Sequence, residues 1–369
     1  MICNNVKKNS NSKPYILIVF MIFIAAVALC ASFEISRAAG AAFSPKPLFE
    51  VEIGDRTPDM LGEDTDESKI LNYDKFYYPA AMVTCEQENK IFVLDSIKNR
   101  ICAYSLDGKL VYVIKLPFEH HPIDMAYFKD FKRFFIVFQQ AAATGVVDIK
   151  ENASGAQITA HKLLSVKEVK GLEKIEEINI QNIWPCNVSD KDKNTFLLNA
   201  FFSDYKNIIL TYNNGSLAGA KTEFKIEDYA LASVLDASIM ALMADTRETR
   251  LIREKLAGGE TDWHVLLKEL TLGKPGFNCR NLRIIGGDSA GNSYVEAHYG
   301  FGEDRIQKTF VYKFNSNGRF KGRTEIFHSP EMLTNHFVTV DLSGSMFYMK
   351  KNEKTNKIQF YKFLIDELN

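Results

Sequence analysis

The chain has 369 residues, 46% of them hydrophobic, and its 45 basic and 46 acidic residues leave a formal net charge of −1. That is ample for a large core, arranged as one big domain or two average ones. The balanced charge removes the electrostatic case for nucleic acid as a partner, which needs Lys and Arg clustered against phosphate.

In chain order, the first element is an address. Lys7, Lys8 and Lys13 precede an uncharged apolar run from Tyr15 to Ala31; Glu34 and Arg37 follow, then small residues from Ala38 to Ala42. A basic start, an apolar middle and a small-residue exit describe an export signal. The middle is also at the short end of what spans a bilayer. Residues 1–42 therefore read as a cleaved signal or as an anchor held through residues 15–31. In either case residues 43–369 are expected in a periplasmic or extracellular space, with membrane contact only through the N-terminal segment. Cys30 ends "VALC", but Leu29 is too large for the residue before a lipoprotein cysteine. Cys85, Cys102, Cys186 and Cys279 are widely spaced and read as buried small hydrophobes, although export permits disulfides.

Beyond the leader, 27 Phe and 15 Tyr against 2 Trp lean the composition towards half-buried pleated surfaces. Leu48 to Ile53 is a strand with no partner nearby, and residues 56–75 are acidic and loop-like. From Tyr78 the pattern sharpens. Ala80 to Thr84, Ile91 to Leu94, Arg100 to Ser105 and Leu110 to Leu116 are four short strands, separated by "EQEN", "DSIKN" and the tight turn Asp107-Gly108. Four antiparallel strands in about 40 residues make one propeller blade.

The same grammar returns with second-strand anchors near Phe92, Phe135, Phe196, Ile239, Tyr294 and Phe347. This predicts an all-β, six-bladed β-propeller of four-stranded antiparallel blades. The blades run roughly over 76–117, 118–166, 175–225, 229–274, 278–328 and 334–366. The last has only three strands of its own, so the strand in residues 47–55 is expected to complete it and close the ring. The fourth unit is the poorest, since "SVLDASIMALMADTRETRLIREKL" also suits a helix.

"ENKIFVLDSIKNRICAYSLDGKLVYVI" resembles an NHL repeat: a β-turn, an apolar "IYVAD"-like strand, "NNRI", then an aromatic and "DG". "DSAGNSYVEA" with "VYKFNSNGRF" is similar to it, and the other units share its period. The resemblance implies a six-bladed propeller, here an exported one of bacterial kind. It does not imply a single activity, because such propellers bind proteins, bind RNA or catalyse.

In such a blade the first strand lines the central channel. Connections into first strands share one face with those between second and third strands. That rim is expected to carry "FEHHPID" (118–124), "NIWPCN" (182–187), "FNCRNL" (277–282), "LTNHFV" (333–338), "DSIKNR" (95–100), "AHYGFGEDR" (297–305) and "KKNEKTNK" (350–357). His120, His121, Trp184, Arg280, His298 and His336 are the candidate ligand-binding residues at the channel mouth. Neutral imidazoles converging there would suit a divalent metal such as zinc or calcium, and some lyases resembling NHL propellers hold a metal in this way. Solvated loop histidines are the plainer reading. Trp184 either stacks on a ligand or plugs the channel. Arg280 either forks onto a carboxylate or phosphate or forms an ion pair. Asp95 is expected to accept hydrogen bonds from loop backbone. No dinucleotide, P-loop, nucleophile-elbow or zincin motif is present. The expected role is a non-catalytic module that binds a protein, peptide or glycan and needs no cofactor. The competing role is a metal-assisted lyase or hydrolase.

Overall fold

Alternating apolar residues between short Gly- and Asn-bearing turns leave few ways to bury this chain, and small meandering sheets are the economical one. The computed structural model describes residues 46–365. Excepted are 55–56, 58–59, 63–78, 139–142, 154, 169–177, the connections between strands within 187–276, and 302–304, 327–336 and 353. For the strands between residues 178 and 283, and for residues 300–307, backbone alone is described. The leader assigned to residues 1–42 lies outside the described residues.

A short strand β1 (Phe49–Glu52) comes first. The first sheet then follows as β2 (Ala81–Cys85), β3 (Lys90–Asp95), β4 (Arg100–Ser105) and β5 (Leu110–Lys115), each antiparallel to the last. The second is β6 (Pro122–Phe128), β7 (Arg133–Phe138), β8 (Ala143–Asn152) and β9 (Gly155–Ser165). The third is β10 (Ile178–Cys186), β11 (Thr195–Phe202), β12 (Ile208–Asn213) and β13 (Ser216–Lys221). The fourth is β14 (Tyr229–Leu235), β15 (Ser238–Ala244), β16 (Thr249–Lys255) and β17 (Thr261–Leu266), so the described residues of the stretch that also suited a helix are in strands. The fifth is β18 (Phe277–Gly287), β19 (Ser293–Phe301), β20 (Arg305–Phe314) and β21 (Phe320–Ile326). The last own strands are β22 (Val338–Val340), β23 (Met346–Asn352) and β24 (Lys357–Phe363), in a sheet of order β1-β24-β23-β22. First strands of successive sheets lie against one another: β2 on β6, β6 on β10, β10 on β14, β14 on β18, β18 on β22 and β22 on β2. Four-stranded antiparallel sheets packed through their first strands are the build of a β-propeller.

The repeat is visible in detail that the letters only hint at. Between third and fourth strands, Gly108 and Gly318 take φ +87° and +74°, and each donates its N–H to a carbonyl three residues back, Ser105 and Asn315, at 2.9 Å. Ser105 Oγ accepts from Lys109 N at 3.2 Å and Asn315 Oδ1 from Arg319 N at 2.9 Å, so one turn is built twice with different letters. A bulge just beyond follows in the first five sheets, where pairing to the fourth strand slips by one residue. Such bulges bend and twist a sheet's outer edge.

Between the sheets the packing is aromatic. Phe92, Phe134, Phe135 and Phe138 are fully buried, and the Phe92 ring meets Phe134 edge-on at 5.1 Å and Tyr127 at 4.5 Å. Burying each such side chain contributes roughly 1.5–3 kcal/mol. Lower down, Glu88 accepts from Tyr127 Oη at 3.2 Å and from Lys132 Nζ at 2.7 Å, fastening the second sheet to the first through hydrogen-bonded charge.

The chain's first described strand lies beside its last. β1 pairs with β24 from Phe49↔Phe360 to Glu52↔Lys357. The Phe49 ring stacks on Phe360 at 4.6 Å and 17° and reaches Tyr104 of the first sheet at 5.9 Å. A Cβ at Gly108 would stand 2.4 Å from Phe49 Cβ, so the close approach, as well as the positive φ, requires glycine there.

Candidate functional site: the rim of second-to-third-strand hairpins

In an antiparallel meander, the hairpin joining second to third strands emerges on the same side as the connection into the next sheet's first strand. In the first sheet that hairpin is "DSIKNR", and the structure shows what its polar residues hold. Asp95 is fully buried. Its Oδ1 accepts from Gly62 N at 3.1 Å and Lys98 N at 3.3 Å, and its Oδ2 accepts from Arg100 Nε at 2.8 Å. Lys98 Nζ donates to the carbonyls of Gly54 at 2.7 Å and Met60 at 2.9 Å, and Arg100 Nη2 donates to the Met60 carbonyl. One acid and two cations thus grip the main chain that leaves β1. The gripped segment is shaped to fit. Leu61 and Ile53 are buried at 0% and 3% exposure and form a parallel bridge, with Leu61 N on Glu52 O at 3.0 Å. A Cβ at Gly62 would stand 2.5 Å from Ile97 Cβ.

The expected donation of loop backbone to Asp95 is therefore present, but its most distant donor lies 33 residues upstream. Sequence reading did not find Gly62, Lys98 or Arg100 as partners. The only signal was a lone glycine within an acidic stretch. In the last sheet, the corresponding hairpin joins β23 to β24 and shares some local features. Asn352 Oδ1 accepts from Lys354 N at 3.0 Å, and Asn356 takes φ +49° as Asn99 takes +48°. Lys354 is exposed on this rim.

The six candidate residues do not share one setting. His120 is exposed before β6, its ring 5.8 Å from Phe138, and His121 beside it is half-buried. Both follow Phe118, whose carbonyl accepts from Asn99 Nδ2 at 2.6 Å and ties this connection to the first hairpin. His298 was expected in a loop spanning 297–305, but it lies within β19, only 7% exposed. Its Nδ1 is 3.2 Å from Thr309 Oγ1 and its Nε2 is 3.2 Å from Oε1 of the fully buried Glu296. Nδ1 is within hydrogen-bonding reach of Thr309, whereas the approach of Nε2 to Glu296 Oε1 is a close charge contact without hydrogen-bond geometry.

Trp184 and Arg280 were likewise expected in connections, "NIWPCN" and "FNCRNL". Asn182 to Cys186 belongs to β10, with Trp184 opposite Leu197, and Arg280 occupies a bulge of β18 between Cys279 and Asn281. Their side chains, and His336 entirely, lie outside the described residues. Cys85 and Cys102 are free and buried. Burial pushes the Cys102 thiol up to about 12, despite Arg100 nearby, so neither oxidation nor metal binding is favoured there.

No protein-family model matches the chain, and no curated protein matches it in sequence. Solved structures of similar fold are distant ones. They include the hydrazine synthase of Kuenenia stuttgartiensis, at 9% identity over 74% of this chain and 76% of that one, with a TM-score of 0.45. They include the virginiamycin B lyase of Staphylococcus aureus, at 13% identity over 78% and 96%, TM-score 0.42. They also include the Swd1 β-propeller domain of Myceliophteria thermophila, at 10% identity over 77% and 82%, TM-score 0.44. These likenesses are loose, and what each of those proteins does stays with it.

Proposed function

We propose that this chain is an exported, six-bladed propeller of the NHL-like kind. It offers the rim of its second-to-third-strand hairpins to a protein, peptide or glycan. The six four-stranded sheets are its blades, residues 43–369 are the propeller, and β1 completes the last blade and closes the ring. The observation that carries the recognition reading is the clasp of Asp95, Lys98 and Arg100. On this rim, charged side chains already hold main chain through its carbonyls and one amide. Hairpins that vary on a rigid ring suit recognition. The burial of His298 within β19, with Nδ1 3.2 Å from Thr309 Oγ1, weighs against its serving as a metal ligand at the channel mouth, which favours this reading over a metal-assisted lyase or hydrolase.

A photo-crosslinking residue placed at the exposed His120 or Lys354 should label one dominant partner in the envelope of the producing cell. The same residue at exposed Asp107, on a third-to-fourth-strand turn of the opposite side, should label none. Equal labelling from both sides, or none from the rim, contradicts the reading.

A further inference from the structure

On the side away from the rim, the first and last sheets meet at two carboxyl groups that face each other across one hydroxyl. Glu86 opens the turn between β2 and β3, and Asp341 opens the turn between β22 and β23. Ser343 Oγ lies 3.0 Å from Glu86 Oε2, 2.7 Å from Asp341 Oδ1 and 2.9 Å from Ser345 Oγ. Asp341 Oδ1 also accepts from the backbone N–H groups of Ser343 and Ser345, both at 2.9 Å. Lys362 Nζ, on β24, pairs with Glu86 Oε1. Asp341 is 7% exposed, yet its Oδ2 is buried with no donor.

The fifth sheet shows what is missing. Its turn from Asp288 has the same shape, with Asp288 Oδ1 accepting from Ala290 N and Asn292 N at 3.0 Å each. There the second oxygen is filled by Tyr294 Oη at 2.9 Å and Asn292 Nδ2 at 2.7 Å. In the last sheet the corresponding positions, six and four residues after the aspartate, are Phe347 and Ser345, which leave Asp341 Oδ2 without either donor. Protons can then be counted. The Ser345 hydroxyl proton can go to Ser343 Oγ, and the single Ser343 proton can reach only one of the two carboxylates. The other contact would be oxygen against oxygen, so the cluster lacks one donor.

We propose that Glu86 and Asp341 share one proton, which makes the seam between the first and last sheets a latch that tightens as pH falls. The facing charged groups are few. Among the described residues Lys362 is the cation paired with Glu86, and Asp288, across Gly344, is filled by its own four donors. Burial, then the adjoining Glu86, pushes the Asp341 carboxyl above its usual range. The hydrogen bond with Asp341, then the one with Lys362, lowers Glu86 to about 2. For Asp341, raised in the folded state, the contribution to stability is complete at pH below its unfolded value and fades as pH rises through the folded one. For Glu86, lowered in the folded state, the contribution is complete above its unfolded value and is lost only as pH falls towards about 2.

The test is chemical denaturation of the full chain from about pH 7 to about pH 4, a window that crosses the ordinary carboxylate range. Wild type is compared with Asp341→Asn, whose amide carries the missing donor permanently, and with Phe347→Tyr, which restores the fifth sheet's hydroxyl. Both variants are expected to unfold later than wild type near neutral pH, and that advantage should shrink steadily as pH falls. Glu86→Gln, at a partly exposed position that tolerates change, should show the same loss of pH dependence. Midpoints that stay parallel across all four proteins overturn the proposal. So does calcium chloride raising the wild-type midpoint at neutral pH but not that of Asp341→Asn, because the pair would then hold a cation rather than a proton.

Discussion

An Asp95→Ala protein is expected to be less stable by about 3–5 kcal/mol in urea denaturation. The side chain is fully buried, and removing it strands Arg100, itself 7% exposed, together with the Gly62 amide. A cation left without its acid in a buried site costs the desolvation that the pair had offset, far more than a surface ion pair is worth. The damage should also be local. With the clasp opened, the segment from Gly54 to Gly62 loses its anchor on the first sheet, and subtilisin should cut it well before the strands. Asp95→Asn keeps one acceptor and should fall between. An Asp95→Ala protein that unfolds with wild type, or resists subtilisin equally, would show that the segment is held by Ile53 and Leu61 alone.

The second large effect is expected at Phe49. Truncation to Ala should cost about 2–3 kcal/mol, somewhat below a fully buried Phe because this ring is only partly covered. The loss includes the stack on Phe360 and the approach to Tyr104, both of which bind β1 across two sheets. A coupling follows from the same contact. Gly108→Ala places its methyl 2.4 Å from Phe49 Cβ and 2.6 Å from Phe49 Cγ at a backbone angle of +87°, so it should be severe in wild type and milder once Phe49 is Gly, which removes both atoms. Strict additivity of the two substitutions would deny the contact.

These two positions show what could be read in the letters and what could not. Asp107-Gly108 announced its turn, because only a residue without Cβ sits easily at that φ. That the same glycine also makes room for Phe49 needed the fold. The four-strand grammar was legible wherever a short apolar run stood between turn residues, as in "KIFVLD" and "RICAYS", whose strands are buried on both faces, and the all-β class followed. That pattern failed in long first strands. β18 carries bulges after Cys279 and after Ile284, which shift apolar residues off the two-residue period, so its first half read as a loop. In β10, a bulge after Ile180 did the same, and Pro185 argued for a connection. Proline is tolerated there because β10 pairs only with β11 and its other edge has no ladder to supply. His298 was misplaced for a related reason: the strand that begins at Ser293 was expected to end at Ala297, and a polar histidine followed by glycines looked like loop although β19 runs on to Phe301. The clasp at Asp95 and the proton-short pair at Glu86 and Asp341 join residues far apart in sequence, and no local pattern encodes such meetings.

β1 is the outer strand of the last sheet, and the closed ring depends on it. Residue-resolved hydrogen–deuterium exchange of the full chain tests this at β24. If β1 is paired, amides of Lys357–Phe360 directed towards β1 exchange as slowly as those directed towards β23, and the Leu48 amide, bonded to the Phe360 carbonyl at 2.7 Å, is slow with them. Free-chain exchange at every second amide of β24 would mean an open edge, and the closed ring would be wrong.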